Sequence, residues 1–430
     1  MKSKKILYLF ISLFCVASLI GGIQLYQRYL YRPYLTVIGY VNLTEGLGRQ
    51  SAELIHTFKD EIDIRFVSTR KNKFDDVSKN IQTLVNKKCA NLGKVIVFED
   101  LLWQPGIDNY IKLIEKLPKG IEKPADQICI AYSMFESSEI PKMWTTLLNT
   151  YFDAVAVPDK FLIDVYRNSG VMIPIFELPL GLELDNFLST PIKAHANEPF
   201  IFANFSAYSD RKNHITLIRA FAKAFENNPK VLLKINSRYG EKEIRNALTR
   251  EITKLKLKNV EFTQFSRDKK EYLEQFKAID CYVSLSKGEG FSIQPREAMA
   301  LGIPVIATNN TAQSTLCESG FIKAIPSDRL EPALYPAGDY YGYSYNCSEE
   351  EVINTLLEVY NNYNTLLQNT PAAKNWVTKY QYKNLKPLYT NLIKPKKVVL
   401  GTENKITSDY LMTNSEDLYI KYVSLCHLKS

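Results

Sequence analysis

The amino-acid sequence predicts an α/β protein built from two doubly wound parallel sheets, and three observations carry that prediction. Short apolar runs alternate with helix-length amphipathic segments along most of the chain. A polar stretch at 190–199 interrupts this rhythm, which then restarts. The length of 430 residues exceeds a single domain at about 150 residues each, and 46% hydrophobic content is enough for real cores.

In the first half, residues 34–41, 62–67, 95–98, 128–132, 154–157 and 175–178 fit short, mostly buried strands. Amphipathic patterns at 50–58, 110–117 and 142–151 supply helices between them. After the linker, strands are expected at 200–204, 231–235, 260–262, 281–285 and 305–308. Ligands of such sheets sit beyond the carboxyl ends of the strands, so function is sought in the loops that follow them. From 374 to 393 apolar residues recur at intervals of three and four, as an amphipathic helix requires. Pro387 is expected to kink or split that helix.

The ends differ from the middle. Residues 6–27 contain no charge, and 6–23 are almost wholly apolar. That length suits the ~30 Å hydrocarbon core of a bilayer and exceeds the roughly 7–15 residues of a cleaved signal's apolar region. An uncleaved signal-anchor at 6–27 behind a basic tail at 1–5 is therefore expected. Lys2, Lys4 and Lys5 precede the run and Arg28 and Arg32 follow it, so its orientation stays open.

The chain carries 54 Lys+Arg against 46 Asp+Glu, a net charge of +8. The excess lies in residues 1–33 and 371–430, which leaves a slightly acidic body. A nucleic-acid binder would place its positive charge on the folded body, so that class is excluded. Basic ends instead favour a membrane surface as partner. The seven cysteines show neither CxxC nor metal-like spacing, and Cys129 and Cys281, inside strand-like runs, read as buried reduced thiols.

The most informative segment runs from Ser286 to Glu297, with the sequence SKGEGFSIQPRE. A buried strand empties into a loop holding Gly288, Glu289 and Gly290; Pro295 suits the first turn of a helix, and Gly302 its left-handed end. Glu289 and Glu297 can then face one ligand, while Gly290, Phe291 and Ser292 can offer it backbone N–H groups. This string resembles the E-x7-E segment of the retaining GT-B glycosyltransferases of family four, the group 1 glycosyltransferases. The resemblance extends over residues 35–400. It implies two Rossmann-like domains facing a cleft, an acceptor domain at 34–187 and a nucleotide-sugar domain at 198–370. It further implies a helix at 371–395 crossing back to the first domain, ahead of a tail at 396–430. In that family the residue matching Glu297 binds the ribose, the one matching Glu289 contacts the transferred sugar, and the backbone at Gly290, Phe291 and Ser292 meets its hydroxyls and the diphosphate.

Three further blocks fit. The segment 202–214, FANFSAYSDRKNH, looks like the family's basic loop, which makes Arg211 and Lys212 the holders of the leaving diphosphate. The family's usual arginine, five residues before the lysine, is replaced here by Ala207. In the first domain, strand 34–41 runs into 42–49, NLTEGLGR, where Gly46 and Gly48 allow close backbone approach before a helix; the resemblance turns this loop toward the donor. Glu136, in YSMFE, is a candidate acceptor contact or a structural carboxylate. The family's cleft histidine has no counterpart, and His214 reads as peripheral. No D-x-D lies on a plausible loop, so no metal is indicated.

The expected function is that of a membrane-anchored, metal-independent, retaining glycosyltransferase. It would use a nucleotide sugar as substrate, need no cofactor, and take a carbohydrate or lipid-linked acceptor. A nucleotide-sugar epimerase on the same fold and an inactive membrane-tethered carbohydrate or nucleotide binder remain as alternatives.

Overall fold

A computed structural model describes residues 15–23, 33–43, 45–74, 77–86, 91–103, 127–237, 240–264, 269–335, 338–394 and 422. The chain divides into two compact units, residues 1–132 with 422–430, and residues 133–421. Of the expected anchor, 15–23 are helical and almost all exposed; the rest of 6–27 lies outside the described residues. No helix among the described residues is long and apolar enough to cross a membrane. The expected helix at 110–117 and nearly all of the tail at 396–430 also lie outside them.

The first unit is a parallel α/β layer. Strands β1 (Leu35–Gly39), β2 (Ile64–Ser68), β3 (Val95–Glu99) and β4 (Ile128–Tyr132) stand in the order β2-β1-β3-β4. β1, β3 and β4 are buried throughout, which is why they read as continuous apolar runs rather than alternating ones. The helix after β1 spans Gly46–Phe58 and starts four residues earlier than its apolar pattern. Gly46 and Gly48 thus lie in a first helical turn and not in a preceding loop. The turn packs so closely on the strand end that a Cβ at Gly48 would sit 2.7 Å from the Tyr40 ring and 2.8 Å from the Asn42 nitrogen.

The second unit opens with two short parallel strands, β5 (Ala154–Val157) and β6 (Ile175–Glu177). Its main sheet uses β7 (Phe200–Asn204), β8 (Val231–Ser237), β9 (Val260–Gln264), β10 (Cys281–Ser284), β11 (Val305–Asn309) and β12 (Lys323–Pro326). Their order is β12-β11-β10-β7-β8-β9, all parallel, so the strand order reverses between β7 and β10. Phe202, Phe221, Leu233, Val283 and Ile306 build the core beneath it. Cys129 and Cys281 are buried free thiols.

Three elements differ from the sequence expectation. β12 and an antiparallel hairpin of β13 (Arg329–Leu334) and β14 (Tyr340–Asn346) were not signalled, because their residues are largely exposed and lack an apolar run. The carboxyl pattern is two helices, Tyr363–Val377 and Tyr382–Ile393, with a 3-10 turn between them, so the break falls at 378–381 instead of at Pro387. Gln381 binds Asp185 and the Tyr380 carbonyl accepts from Leu182, which fixes the turn. Pro387 is exposed, and the carbonyl it leaves free, on exposed Lys383, can be met by water. Helix Tyr382–Ile393 is tied to the segment that follows β6, with the Tyr389 hydroxyl bonded to the Pro179 carbonyl.

Alanine is ordinarily the better helix former, but the close approach at Gly48 reverses its sign. Gly48→Ala is expected to lower stability by about 1–3 kcal/mol, as overpacking does, measured by denaturant unfolding of the full chain. A neutral or stabilising effect would mean the helix does not start where it is placed.

Candidate active site

Two loops at strand ends of the second unit are built toward each other. The first follows β7. Asn204, buried at its end, accepts at Oδ1 from the Ser206 backbone N–H (3.0 Å), the Ser206 hydroxyl (2.6 Å) and His214 Nε2 (3.0 Å), while its Nδ2 donates to the Val283 carbonyl (2.7 Å). The loop closes in a 3-10 turn, Asp210–Lys212, and Asn213 at φ 58° starts helix His214–Phe225. The second loop follows β10. Its Ser286 carbonyl accepts from Thr308 Oγ1 (2.6 Å) and Asn310 Nδ2 (3.0 Å). Its Lys287 backbone N–H donates to the Arg211 carbonyl (2.8 Å), which joins the two loops.

Glycine at 288 is a steric requirement. A Cβ there would lie 1.9 Å from the Glu136 carbonyl oxygen, so only a bare backbone lets the loop reach residue 136. Glu289 comes next, its N–H donating to Thr311 Oγ1 at 2.8 Å. Its carboxylate then meets both cations of the other loop. Lys212 Nζ pairs with Oε1, and the Arg211 guanidinium lies 3.2 Å from Oε2 and 3.3 Å from Glu136 Oε1. The Lys212 and Glu289 side chains are only about a tenth exposed.

Burial alone would raise the Glu289 pKa, but Lys212 and Arg211 hold it down at about 2. Burial lowers the Lys212 pKa, with Glu289 opposing. Burial also works against the Arg211 charge, but Glu136 and Glu289 outweigh it and keep that charge fixed.

Arg211, Lys212, Glu289 and Glu136 therefore form one cluster. Glu297 stands apart from it, wholly buried in helix Ile293–Leu301 and accepting a hydrogen bond from the Tyr272 hydroxyl. Pro295 lies in that helix's first turn, and Gly302 caps it at φ 74°. Gly290 packs on Met134, where a Cβ would sit 3.2 Å from the methionine Cβ. Phe291 and Ser292 are buried, and the Ser292 hydroxyl has no hydrogen-bond partner among the described residues. Gly46 and Gly48 belong to the first unit. Beside them Glu45 accepts from Tyr40 Oη (2.9 Å) and Asn42 Nδ2 (2.6 Å).

Sequence reading passed over several residues that shape this site. Arg296 is wholly buried between the Phe291 and Tyr380 rings, at 3.9 and 4.5 Å. It donates to the Phe291 and Ser292 carbonyls and lies 3.6 Å from Asp159. A guanidinium directly before Glu297, in a helix that is apolar from Ala298 to Leu301, was the available signal. Tyr335, from the hairpin, stacks on Phe135 at 4.9 Å, with its hydroxyl 3.5 Å from Glu136. His214, read as peripheral, is buried at the base of the basic loop. Donating from Nε2 to Asn204 leaves its Nδ1 as an acceptor without a partner among the described residues. Among the described residues no group of three or more His, Cys, Asp and Glu is placed to hold a metal ion.

With this geometry in view, the chain was compared with known proteins. Residues 188–325 match the family model of the glycosyl transferases group 1. An uncharacterized glycosyltransferase of Methanocaldococcus jannaschii is 32% identical over 186 residues, and the match spans 41% of this chain and 41% of that protein. HepE of Anabaena, solved with UDP and glucose, superposes with a TM-score of 0.61 at 13% identity, over 85% of this chain and all of HepE. A glycosyltransferase from Rickettsia africae gives 0.60 at 14%, over 85% of this chain and 100% of its own. TarM of S. aureus gives 0.54 at 15%, over 70% of this chain and 55% of TarM. The structural matches show the α/β GT-B fold with two Rossmann-like parallel-sheet domains, and the family model supports a place in group 1.

Burial, followed by the nearby Lys212 charge, pushes the His214 pKa down to about 3. The folded state therefore refuses a proton that the unfolded state accepts near pH 6.5. The contribution is complete above pH 6.5 and is lost toward pH 3, at about 1.4 kcal/mol per pH unit. Buried Glu99 and Asp159, their pKa values raised by burial to about 8 and about 6, act with the opposite sign between pH 6.5 and 5. The test is therefore a difference: the wild-type slope of unfolding free energy against pH should exceed that of His214→Asn by this amount. An unchanged slope in the variant would place the histidine in contact with solvent.

Proposed function

We propose that the chain is a retaining glycosyltransferase that uses a nucleotide sugar and needs no metal ion. The observation that carries this reading is the convergence of Arg211 and Lys212 from one strand-end loop with Glu289 from the other. Cleaving a sugar–diphosphate bond adds one negative charge to a diphosphate that already carries two, and fixed cations in a poorly hydrated site stabilise that charge as it forms. Glu289 and Glu136 balance those cations. The diphosphate takes over that role when donor binds.

Glu297, an acceptor-only carboxylate on the helix after the loop, suits the paired hydroxyls of a ribose. The unpartnered Ser292 hydroxyl and the backbone of Gly290 and Phe291 suit the sugar and the diphosphate. Glu289 stays ionised at neutral pH, so it can accept from a sugar hydroxyl and offset positive charge at the anomeric carbon. In transfer with retention the anomeric C–O bond to the diphosphate breaks, and the acceptor oxygen bonds to the same face. The proton of the acceptor leaves with the diphosphate. UDP is the first nucleotide to test, because HepE and TarM were both solved with it.

The acceptor is a carbohydrate, free or lipid-linked. The apolar run 6–27 supports a membrane anchor, and the basic ends support contact with an anionic leaflet.

A panel of nucleotide sugars, scored for donor hydrolysis and for transfer, tests the reading. Lys212→Ala should lower kcat by about 10²-fold or more, because its partner charge develops in the transition state. Glu297→Ala should instead weaken nucleoside diphosphate binding about tenfold, the order expected for a buried charge-assisted hydrogen bond. Wild-type turnover in both variants would refute the assignment.

A further inference from the structure

A cleft of about 810 Å³ opens on the second unit beside the charge cluster. Its walls are helix Phe161–Asn168, helix Thr311–Cys317 and the first residues of the β13–β14 hairpin. Two of its lining residues lead straight to the cluster. Thr311 holds the Glu289 N–H, and Ser137 adjoins Glu136 and ties the hairpin by donating to the Tyr341 carbonyl at 2.7 Å. A molecule in this cleft would present its end to the carboxylates that surround the cations.

The chemistry of the wall narrows what that molecule is. Hydroxyls and amides dominate the wall: the hydroxyl protons of Ser137, Thr311, Thr315 and Ser327 and the Asn310 amide are spent on bonds within the protein. The hydroxyl oxygens therefore face a ligand mainly as acceptors, with Ser314 and Asn309 beside them and Phe161 and Tyr345 as flat apolar surfaces. Acceptor oxygens beside an aromatic face match a sugar ring, which has donating hydroxyls around its edge and C–H groups on its faces. The charges are one lysine and three carboxylates: Lys160, Asp164, Glu318 and Asp328. Lys160 is already paired with Glu318. No ion pair joins Asp164 or Asp328 among the described residues, so the cleft carries excess negative charge. An anionic ligand would meet uncompensated repulsion there. The size falls within the roughly 300–1,000 Å³ of ordinary ligand sites.

We infer that this cleft is the acceptor site and that the accepting residue is a neutral or amino sugar, not a uronic, sulfated or phosphorylated one. This rests on the glycosyltransferase reading and deepens it. Bound there, the acceptor lies across Thr311 and Ser137 from the donor's anomeric carbon, and its hydroxyl attacks as described above. A lipid carrier, where there is one, stays outside the cleft with its phosphates.

The test uses the full chain on an array of neutral, amino, uronic, sulfated and phosphorylated oligosaccharides. Nucleoside diphosphate binding is measured in parallel by calorimetry. Ser314, half-buried in the wall and without any role assigned in the donor site, is replaced by tryptophan to fill the cleft. Wild type should retain neutral or amino oligosaccharides, and Ser314→Trp should lose at least tenfold in that binding and in transfer. Its diphosphate affinity, donor hydrolysis and melting temperature should stay unchanged. Asp164→Lys, on the exposed rim, should admit anionic oligosaccharides that wild type rejects. Retention of only anionic glycans, retention of none, or undiminished neutral-glycan binding in Ser314→Trp would each overturn the inference. Failure of the wild type to bind any nucleotide would instead overturn the glycosyltransferase reading.

Discussion

The site depends on one electrostatic arrangement, the pairing of a buried carboxylate, Glu289, with two cations carried by a different loop. Removing a charge from water costs several kcal/mol, and the cost is repaid only when partners stand at contact distance with their remaining polar atoms satisfied. Glu289 meets that condition because both loops are fixed before the charges meet. Asn204 organises one loop through four hydrogen bonds. Thr308, Asn310 and Thr311 organise the other. A backbone bond from Lys287 to Arg211 sets the distance between them. The bare Cα of Gly288 then permits approach to Glu136, which takes the outward side of the Arg211 guanidinium.

This arrangement explains other features that look unrelated. The hairpin 329–346 buries little of itself, yet it clamps the segment carrying Glu136: Tyr335 stacks on Phe135, and Ser137 and Ser138 bond to its backbone. A side chain at Gly342, at φ 63°, would collide with Ser138 and Glu139, so the hairpin approaches backbone to backbone there. Arg296 does for the 290–292 segment what Asn204 does for the basic loop, by occupying carbonyls that would otherwise be free to turn. Its charge rests between two rings and near Asp159, an environment that a guanidinium tolerates better than an ammonium. The second sheet supports all of this because its strand order reverses between β7 and β10. The loops leaving those two neighbouring strands are therefore the pair that can converge on one ligand.

Most of the strands were legible because a buried parallel strand must be apolar on both faces, and that leaves an uninterrupted run in the sequence. The strands at 128–132, 154–157 and 200–204 were placed to the residue on that ground. The string 286–297 was legible as well, since a strand, a glycine-flanked glutamate, a proline and a second glutamate have local meanings that agree. The hairpin was not, because its strands are held by contacts with 134–139, some 200 residues away, and carry no apolar pattern of their own. Nor was the start of helix Gly46–Phe58, where glycines that read as a loop are instead what lets the first turn lie on Tyr40 and Asn42. The helix break at 378–381 fell at bonds to Leu182 and Asp185 and not at the proline, whose exposed position costs little.

The sequence alone therefore determined the sheet-and-loop plan, the two glutamates with seven residues between them and the basic pair, since each rests on composition and spacing within a short stretch. Only the tertiary structure decided which charges meet. Lys212 is 77 residues from Glu289 along the chain and Arg211 is 77 from Gly288, and Glu136 is farther still. The folding of Arg296 under Tyr380, the burial of His214 and the sugar-sized cleft between helix Phe161–Asn168 and helix Thr311–Cys317 belong to the same class. Contact between distant segments is set by how the layers pack, and packing is a property of the whole chain that no local window contains.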